Sequence, residues 1–374
     1  MRPYHADPEY YEGRAHGLLE SAGDGTADAG AAFERHGAPL TLDGARVVLA
    51  REHGFERWSE LMDHLTRMDD DPFVRAYRAV EARDVDGLAA LLDETPGLVS
   101  QVGTNGNDLL GMASATCDER LVAVLLERGA DVARGNVHGW TPLHQAAYSD
   151  LPALARMLLD AGAPVDVAAR GAGGTPLVVA LFWGNRTTAE LLAERGAHPP
   201  NLRVGAGLGR LELASSPGAQ RGFYRPHGGF PSWTPSGDPQ EVLDEALSWA
   251  ARSDRAGVLG ELVDRGADVA ADVYRGTALS WAAACGRVDS IRRIVELGAD
   301  PNQRTTFGGP EHGDKTTALH LAAQAGTLDA IRALLELGAD PAATDDVHGG
   351  TPAGWAEFAG RREAVELLRA AQTT

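Results

Sequence analysis

The sequence predicts an all-α solenoid built from repeats of about 33 residues and preceded by a small helical domain. Six apolar helical segments end in the same short motif, Gly-Ala-Asp or a near copy of it. The glycines that begin the first three motifs are 33 and 34 residues apart, a spacing typical of stacked helical repeats. The six motifs begin at Gly129, Gly162, Gly196, Gly266, Gly298 and Gly338.

Residues 1–71 do not follow the repeat and are expected to form a helical domain that caps the stack. Helices are predicted at 7–21, 25–36, 42–53 and 57–68. The last two helices are separated by Gly54, an arrangement that also occurs in DNA-binding proteins. The segment holds 7 Arg against 15 Asp and Glu, and this acidity argues against contact with nucleic acid.

Repeats are predicted over 72–213, beginning with a degenerate helix pair at 79–98. Clearer units follow at 104–136, 137–170 and 171–203. Two of them open with Thr-Pro, at Thr141 and at Thr175. Threonine caps a helix N-terminus, and proline at the first helical position needs no N–H partner. Glycine then ends the second helix of each unit by supplying a left-handed residue.

The motifs Thr141-Pro142-Leu143-His144 and Thr317-Ala318-Leu319-His320 resemble the ankyrin repeat. The resemblance covers roughly residues 72–372 and extends, through the helical segment at 45–65, to a bacterial group of ankyrin proteins. It implies β-turn fingers followed by paired antiparallel helices, with a concave binding face formed by the fingers and the first helices. It also implies that His144 and His320 are structural, each bonded to the backbone of a neighbouring finger.

Two inserts interrupt the pattern. After a helix expected at 201–213, an aromatic, Gly- and Pro-rich stretch at 214–237 replaces the second helix of its unit. Its aromatic side chains favour packing against the stack over disorder. Asp238-Pro239 then restarts a helix and opens the C-terminal repeats, 238–374. A second insert, 306–314, lengthens a finger. Either insert alone is more typical of ordinary loop variation, whereas the two together could roof a cleft.

Aromatic residues recur where the family's first helix faces the concave surface. Tryptophan occupies this register position three times, which a solvated face does not favour and which is typical of binding hot spots. An alternative is that the first tryptophan is merely covered by the insert. Finger tips add a Val-His-Gly motif at two distant places. The predicted binding residues are Trp249, Trp281, Trp355, Tyr274, Arg275, Tyr224, Arg225, Trp233, His138, Trp140 and His348.

The leading hypothesis is a non-enzymatic binding protein that recognises a protein partner on its concave face. The alternative is an enzyme or small-molecule binder whose pocket is roofed by the two inserts, with His227, His312 and Asp244 as acid–base residues. No HExxH, CxxC or nucleophile elbow occurs, and no metal or cofactor is expected. A third hypothesis holds that the inserts only patch an eroded repeat.

Composition bounds the partners. The net charge is −19, which disfavours nucleic acid and anionic membranes and favours a basic or neutral protein surface. The chain has two cysteines, far apart in the sequence, which suits a reducing compartment and predicts no disulfide framework. Neither a signal peptide nor an apolar run long enough to span a membrane is visible. We therefore expect a cytoplasmic protein. Because capped repeat stacks are commonly monomeric, we also expect a monomer.

Overall fold

The computed structural model describes a chain of short helices joined by tight turns. The residues described are 5, 7–23, 27–66, 68, 71–103, 106–169, 174–212, 235–307 and 315–372. Within these ranges the only β-structure is two isolated bridges, Val102 with Asp108 and Thr305 with Thr316. The prediction of an all-α fold is confirmed.

The chain divides into two compact units, Met1–Gln145 with Asp160–Ala163, and Ala146–Leu159 with Pro164–Thr374. The helices of the first part of the chain are α1 Pro8–Gly23, α2 Ala27–His36, α3 Leu42–Glu52, α4 Trp58–Leu65, α5 Pro72–Glu81, α6 Val85–Glu94, α7 Leu109–Ala115, α8 Glu119–Glu127, α9 Pro142–Tyr148 and α10 Pro152–Asp160.

The remaining helices are α11 Pro176–Phe182, α12 Arg186–Glu194, α13 Leu202–Gly207, α14 Pro239–Arg252, α15 Ala256–Asp264, α16 Ala278–Ala284, α17 Val288–Glu296, α18 Ala318–Ala325, α19 Leu328–Glu336, α20 Pro352–Phe358 and α21 Arg362–Ala371. From α5 onward most helices pack against the next helix along the chain. In the second unit the first helices α14, α16, α18 and α20 also pack side by side in succession.

The predicted caps and stops account for the helix bounds. Thr175 accepts a hydrogen bond from the Val178 N–H and Pro176 follows it as the first helical residue. At the other end, Gly298 and Gly338 have φ of 107° and 92°, a conformation that favours glycine because it has no Cβ. The threonine start and the glycine stop thus fix one helix pair per repeat.

The first unit contains the N-terminal helices. α1, α2 and α3 pack around Phe33, Val48 and Leu49, while α4 contributes Leu61 and Leu65 to a second cluster. The degenerate helix pair predicted at 79–98 begins earlier than expected, because Asp71 caps α5 and Pro72 is its first residue.

In the second unit, the helix predicted at 201–213 is wrong in length, since α13 ends at Gly207. Its sequence is rich in glycine, which destabilises a helix by about 1 kcal/mol per residue relative to alanine. α13 packs closely along α14. A continuous apolar core then runs through the later repeats, from Ala206 to Leu368.

Candidate functional site

The C-terminal finger, which we define as Asp345–Gly350, is built around one buried carboxylate. Asp345 Oδ1 accepts hydrogen bonds from the backbone N–H groups of Val347 (2.9 Å) and His348 (2.6 Å). Its Oδ2 accepts from the Gly350 N–H (2.8 Å) and from the Trp355 indole N–H (2.9 Å). Four donors on one carboxylate hold the turn in a single conformation.

These bonds also control the charge of Asp345. Burial would raise the pKa of its carboxyl group, but the hydrogen bonds from the finger and from Trp355 outweigh burial and lower the pKa to about 2. The group is therefore ionised at neutral pH. Its bonds direct the side chains of Val347, 42% exposed, and His348 into solvent.

The N-terminal finger, Asn136–Trp140, reaches a similar arrangement with a neutral side chain. Asn136 Oδ1 accepts from the N–H groups of His138 (2.9 Å) and Trp140 (3.1 Å). The Trp140 indole donates to Gln145 Oε1 at 3.2 Å. Val137 is 58% exposed and His138 is exposed as well. Two distant repeats thus present Val-His on a hydrogen-bonded turn.

The other predicted tryptophans lie in the interior of the second unit. Trp249 and Trp281 are both buried, and each contacts the ring of Phe182, with centroids 6.1 Å and 5.8 Å away. The guanidinium carbon of Arg252 lies 3.7 Å from the Trp281 ring centroid and 5.2 Å from that of Trp249. The Tyr274 ring lies 6.4 Å from that of Phe182, measured between centroids. We define the Arg252 cluster as Phe182, Trp249, Arg252, Tyr274 and Trp281.

Arg252 is 1% exposed and bonds only to neutral oxygens among the described residues. Its Nη1 donates to the Phe182 carbonyl (2.9 Å), and its Nε and Nη2 donate to the carbonyl and hydroxyl of Ser248. Burial lowers the pKa of Arg252 to about 10. Glu245, the carboxylate whose field reaches Arg252, bonds instead to Arg203 at 3.1 Å.

This Arg203–Glu245 ion pair is buried on both sides. Burial raises the pKa of Glu245 and lowers that of Arg203, in each case against the attraction between the two. Two buried arginines, counting Arg252, therefore share one buried glutamate.

Trp281 has a buried indole N–H without a hydrogen-bond acceptor in the described part of the chain, a second unusual polar group beside the buried Arg252. The side chain is 3% exposed, and its indole Nε1 has no hydrogen-bond partner among the described residues. A buried donor without an acceptor costs about 1–3 kcal/mol, so such groups are rare in native proteins. The half-buried Phe307, whose centroid is 4.7 Å away, covers one side of the ring.

Several predicted site residues are placed differently from the expectation of an open face. Tyr274 and Arg275 are buried, and Arg275 has φ of 57°. Trp140 and Trp355 are half-buried, and of the predicted binding residues that the structure describes, His138 and His348 are the exposed ones. The binding roles of these residues remain predictions, and within the described part of this set the side chains open to a partner are those at the finger tips.

Only part of the predicted polar site belongs to the residues that the structure describes. Tyr224, Arg225, His227, Trp233 and His312 lie outside the described residues. Asp244 is buried, and its Oδ1 accepts from Gln240 Nε2 (2.9 Å) and the Asp268 N–H (2.7 Å). Burial, as the largest influence, raises the pKa of Asp244. Its bonds join α14 to the turn after α15.

The histidines at the repeat starts are structural in their contacts. His320 is buried, its Nδ1 accepts from the Thr317 N–H, and its Nε2 donates to the Gly350 carbonyl at 3.0 Å. Burial lowers its pKa. His144 makes the same Nδ1 contact with Thr141.

Phe182, Arg252 and the Arg203–Glu245 pair were missed by sequence reasoning. A signal existed in α14, where Glu245 and Arg252 stand at the two ends of a run of apolar and small residues. In the ranges that the structure describes, no group of His, Cys, Asp and Glu is arranged to hold a metal ion, and no helix there is long and apolar enough to cross a membrane.

A sequence profile for ankyrin repeats in three copies matches residues 77–169, 110–202 and 307–373, more than half of the chain. A single-repeat profile adds 276–306. The chain belongs to the ankyrin-repeat family. Ankyrin repeats generally serve as protein–protein interaction modules, and the helix pairs and threonine starts described above are the structural form of these matches.

Similar proteins combine ankyrin repeats with other domains. The human ankyrin repeat and KH domain-containing protein 1 is 36% identical over 100 residues, 26% of this chain and 4% of that protein. The rat ankyrin repeat and SAM domain-containing protein 6 is 31% identical over 133 residues, 33% of this chain and 15% of that protein. The chain thus spans only a small part of these relatives, which are eukaryotic.

Proposed function

We propose that this ankyrin-repeat protein is a binding scaffold that recognises a protein partner through its finger tips, on the concave face that fingers and first helices form in this family. One observation carries the proposal: two distant repeats expose the same Val-His pair on a turn fixed by side-chain hydrogen bonds. Fixing a turn before binding reduces the entropy lost on association.

The chemistry of the partner follows from the tips and from the net charge. An exposed valine beside an imidazole fits a surface with apolar patches and hydrogen-bonding groups. The net charge of −19 attracts a basic or neutral surface and disfavours an acidic one. We further propose that the protein acts as a cytoplasmic monomer.

Affinity capture from the source cells with purified wild-type protein would identify the partner, and calorimetry would then measure its affinity. Val347→Asp/His348→Asp and Val137→Asp/His138→Asp each remove one tip. Leu40→Asp is the matched control, because Leu40 is 61% exposed but lies outside both fingers. We expect at least one tip variant to bind about tenfold more weakly, with Leu40→Asp unchanged. Equal affinity of both tip variants and wild type would refute the proposal.

A further inference from the structure

In the Arg252 cluster, a hydrogen-bond donor without an acceptor and a cation without a carboxylate partner, within the described part of the chain, lie at the same aromatic ring, that of Trp281. The Trp281 indole N–H is buried without an acceptor among the described residues. The Arg252 guanidinium, stacked 3.7 Å from the centroid of the same ring, has no carboxylate within ion-pair distance there. A donor and a cation on one ring both favour an incoming negative oxygen.

The described residues around the Trp281 ring do not supply the missing negative charge. Glu245 is hydrogen-bonded to Arg203, so it only partly offsets two arginines. The described bonds of Arg252 go to Phe182 and Ser248 oxygens, which carry no net charge. In a buried setting, such an imbalance weighs more than at the surface, since the effective dielectric is lower.

The shape of the surroundings defines the rest of a ligand. Phe182 and Phe307 both contact Trp281 edge to face, with ring centroids 5.8 Å and 4.7 Å away. Aromatic walls bind an apolar or planar body, while a few polar groups fix its orientation. The half-buried Phe307 is the least enclosed of these rings, which places the point of entry on its side.

We propose that the Arg252 cluster binds a small carboxylic acid with an apolar or aromatic body. Its carboxylate accepts the Trp281 indole N–H and lies in the field of Arg252, and its body packs among the rings. This site is separate from the finger tips, and it does not depend on the proposed protein partner.

The test separates the contribution of the Trp281 N–H from that of the ring. Replacing Trp281 by benzothienylalanine exchanges the indole N–H for sulfur and keeps the ring shape. The same replacement at Trp355, whose N–H is bonded to Asp345, is the matched control. Phenylacetate, benzoate and indole-3-acetate are the probes, with phenylacetamide as the neutral counterpart, at millimolar concentrations in calorimetry and thermal unfolding.

We expect at least one carboxylate to bind and raise the melting temperature, with the amide ineffective. Affinity should fall about tenfold in the protein altered at 281 and stay unchanged in the protein altered at 355. Without ligand, the replacement at 281 should leave stability equal or higher, because it removes an unsatisfied donor.

Three results would overturn the proposal. One is that none of the carboxylates binds. Another is that binding is insensitive to the replacement at 281. The third is that the replacement at 281 destabilises the ligand-free protein, because the chain would then supply the acceptor itself.

Discussion

Trp355 and Trp281 occupy the same register position in their repeats but have different surroundings. The Trp355 indole donates to Asp345, and that carboxylate also fixes the C-terminal finger. The Trp281 indole is buried beside Arg252 and has no acceptor within the described part of the chain. The same register position thus supports an exposed turn in one repeat and an enclosed cluster in another, and the surrounding residues make the difference.

We expect the largest effect from a substitution in the Arg252 cluster, which encloses Trp281. Arg252→Ala removes the bonds to Phe182 and Ser248 and leaves a cavity between aromatic rings. We expect a loss of about 3 kcal/mol in the free energy of unfolding, measured by urea denaturation followed by circular dichroism. Arg293→Ala, which removes an exposed ion pair, should lose less than about 1 kcal/mol. Equal losses would mean that the cluster contributes no special stability.

The second prediction concerns the carboxylate of the finger. Its pKa is lowered from 3.8 to about 2, so its contribution to stability is complete above pH 4 and disappears as the pH falls towards 2. Asp345→Asn should therefore lose about 2 kcal/mol at neutral pH and show a flatter acid-unfolding profile than wild type.

The neighbouring Asp346 provides the control for this measurement. It is exposed and paired with Arg304 and Lys315, so Asp346→Asn should lose less than about 1 kcal/mol. An Asp345→Asn protein with the acid-unfolding profile of wild type would contradict the account of the finger.

The third prediction compares the two tryptophans directly. Benzothienylalanine at position 355 removes a hydrogen bond to a charged group and should cost about 1.5 kcal/mol. The same replacement at 281 should change the ligand-free stability by less than about 0.5 kcal/mol, or increase it. Thermal unfolding of the two altered proteins side by side measures both changes. If the replacement at 281 cost more stability than the one at 355, the Trp281 N–H would not lack an acceptor as described.

Local signals made much of the fold predictable. Threonine starts and glycine stops act within one helix, so Thr175 and Gly298 could be assigned without tertiary information. The helix predicted at 201–213 is shorter in the structure and ends at Gly207, because Gly205 and Gly207 weaken the helix.

The candidate site was less predictable, since burial depends on distant parts of the chain. The tryptophan register and the repeated Val-His motif were visible in the sequence. The contact of Phe182 with Trp249 and Trp281 joins three helices that are far apart in the chain, and no local pattern specifies it. Sequence therefore indicated which residues are unusual but could not say that Tyr274 and Arg275 are buried.

The smallest expected effect on stability belongs to the tips. Val347→Asp/His348→Asp and Val137→Asp/His138→Asp alter exposed side chains while leaving Asp345 and Asn136 in place. We expect changes in unfolding free energy within about 0.5 kcal/mol. A large loss of stability would show that the tips are structural rather than displayed for binding.

The affinity of the captured protein partner for these tip variants tests the central claim most directly. The account predicts that at least one tip variant binds about tenfold more weakly than wild type and Leu40→Asp, with thermal stability unchanged. Wild-type affinity in both tip variants would contradict it.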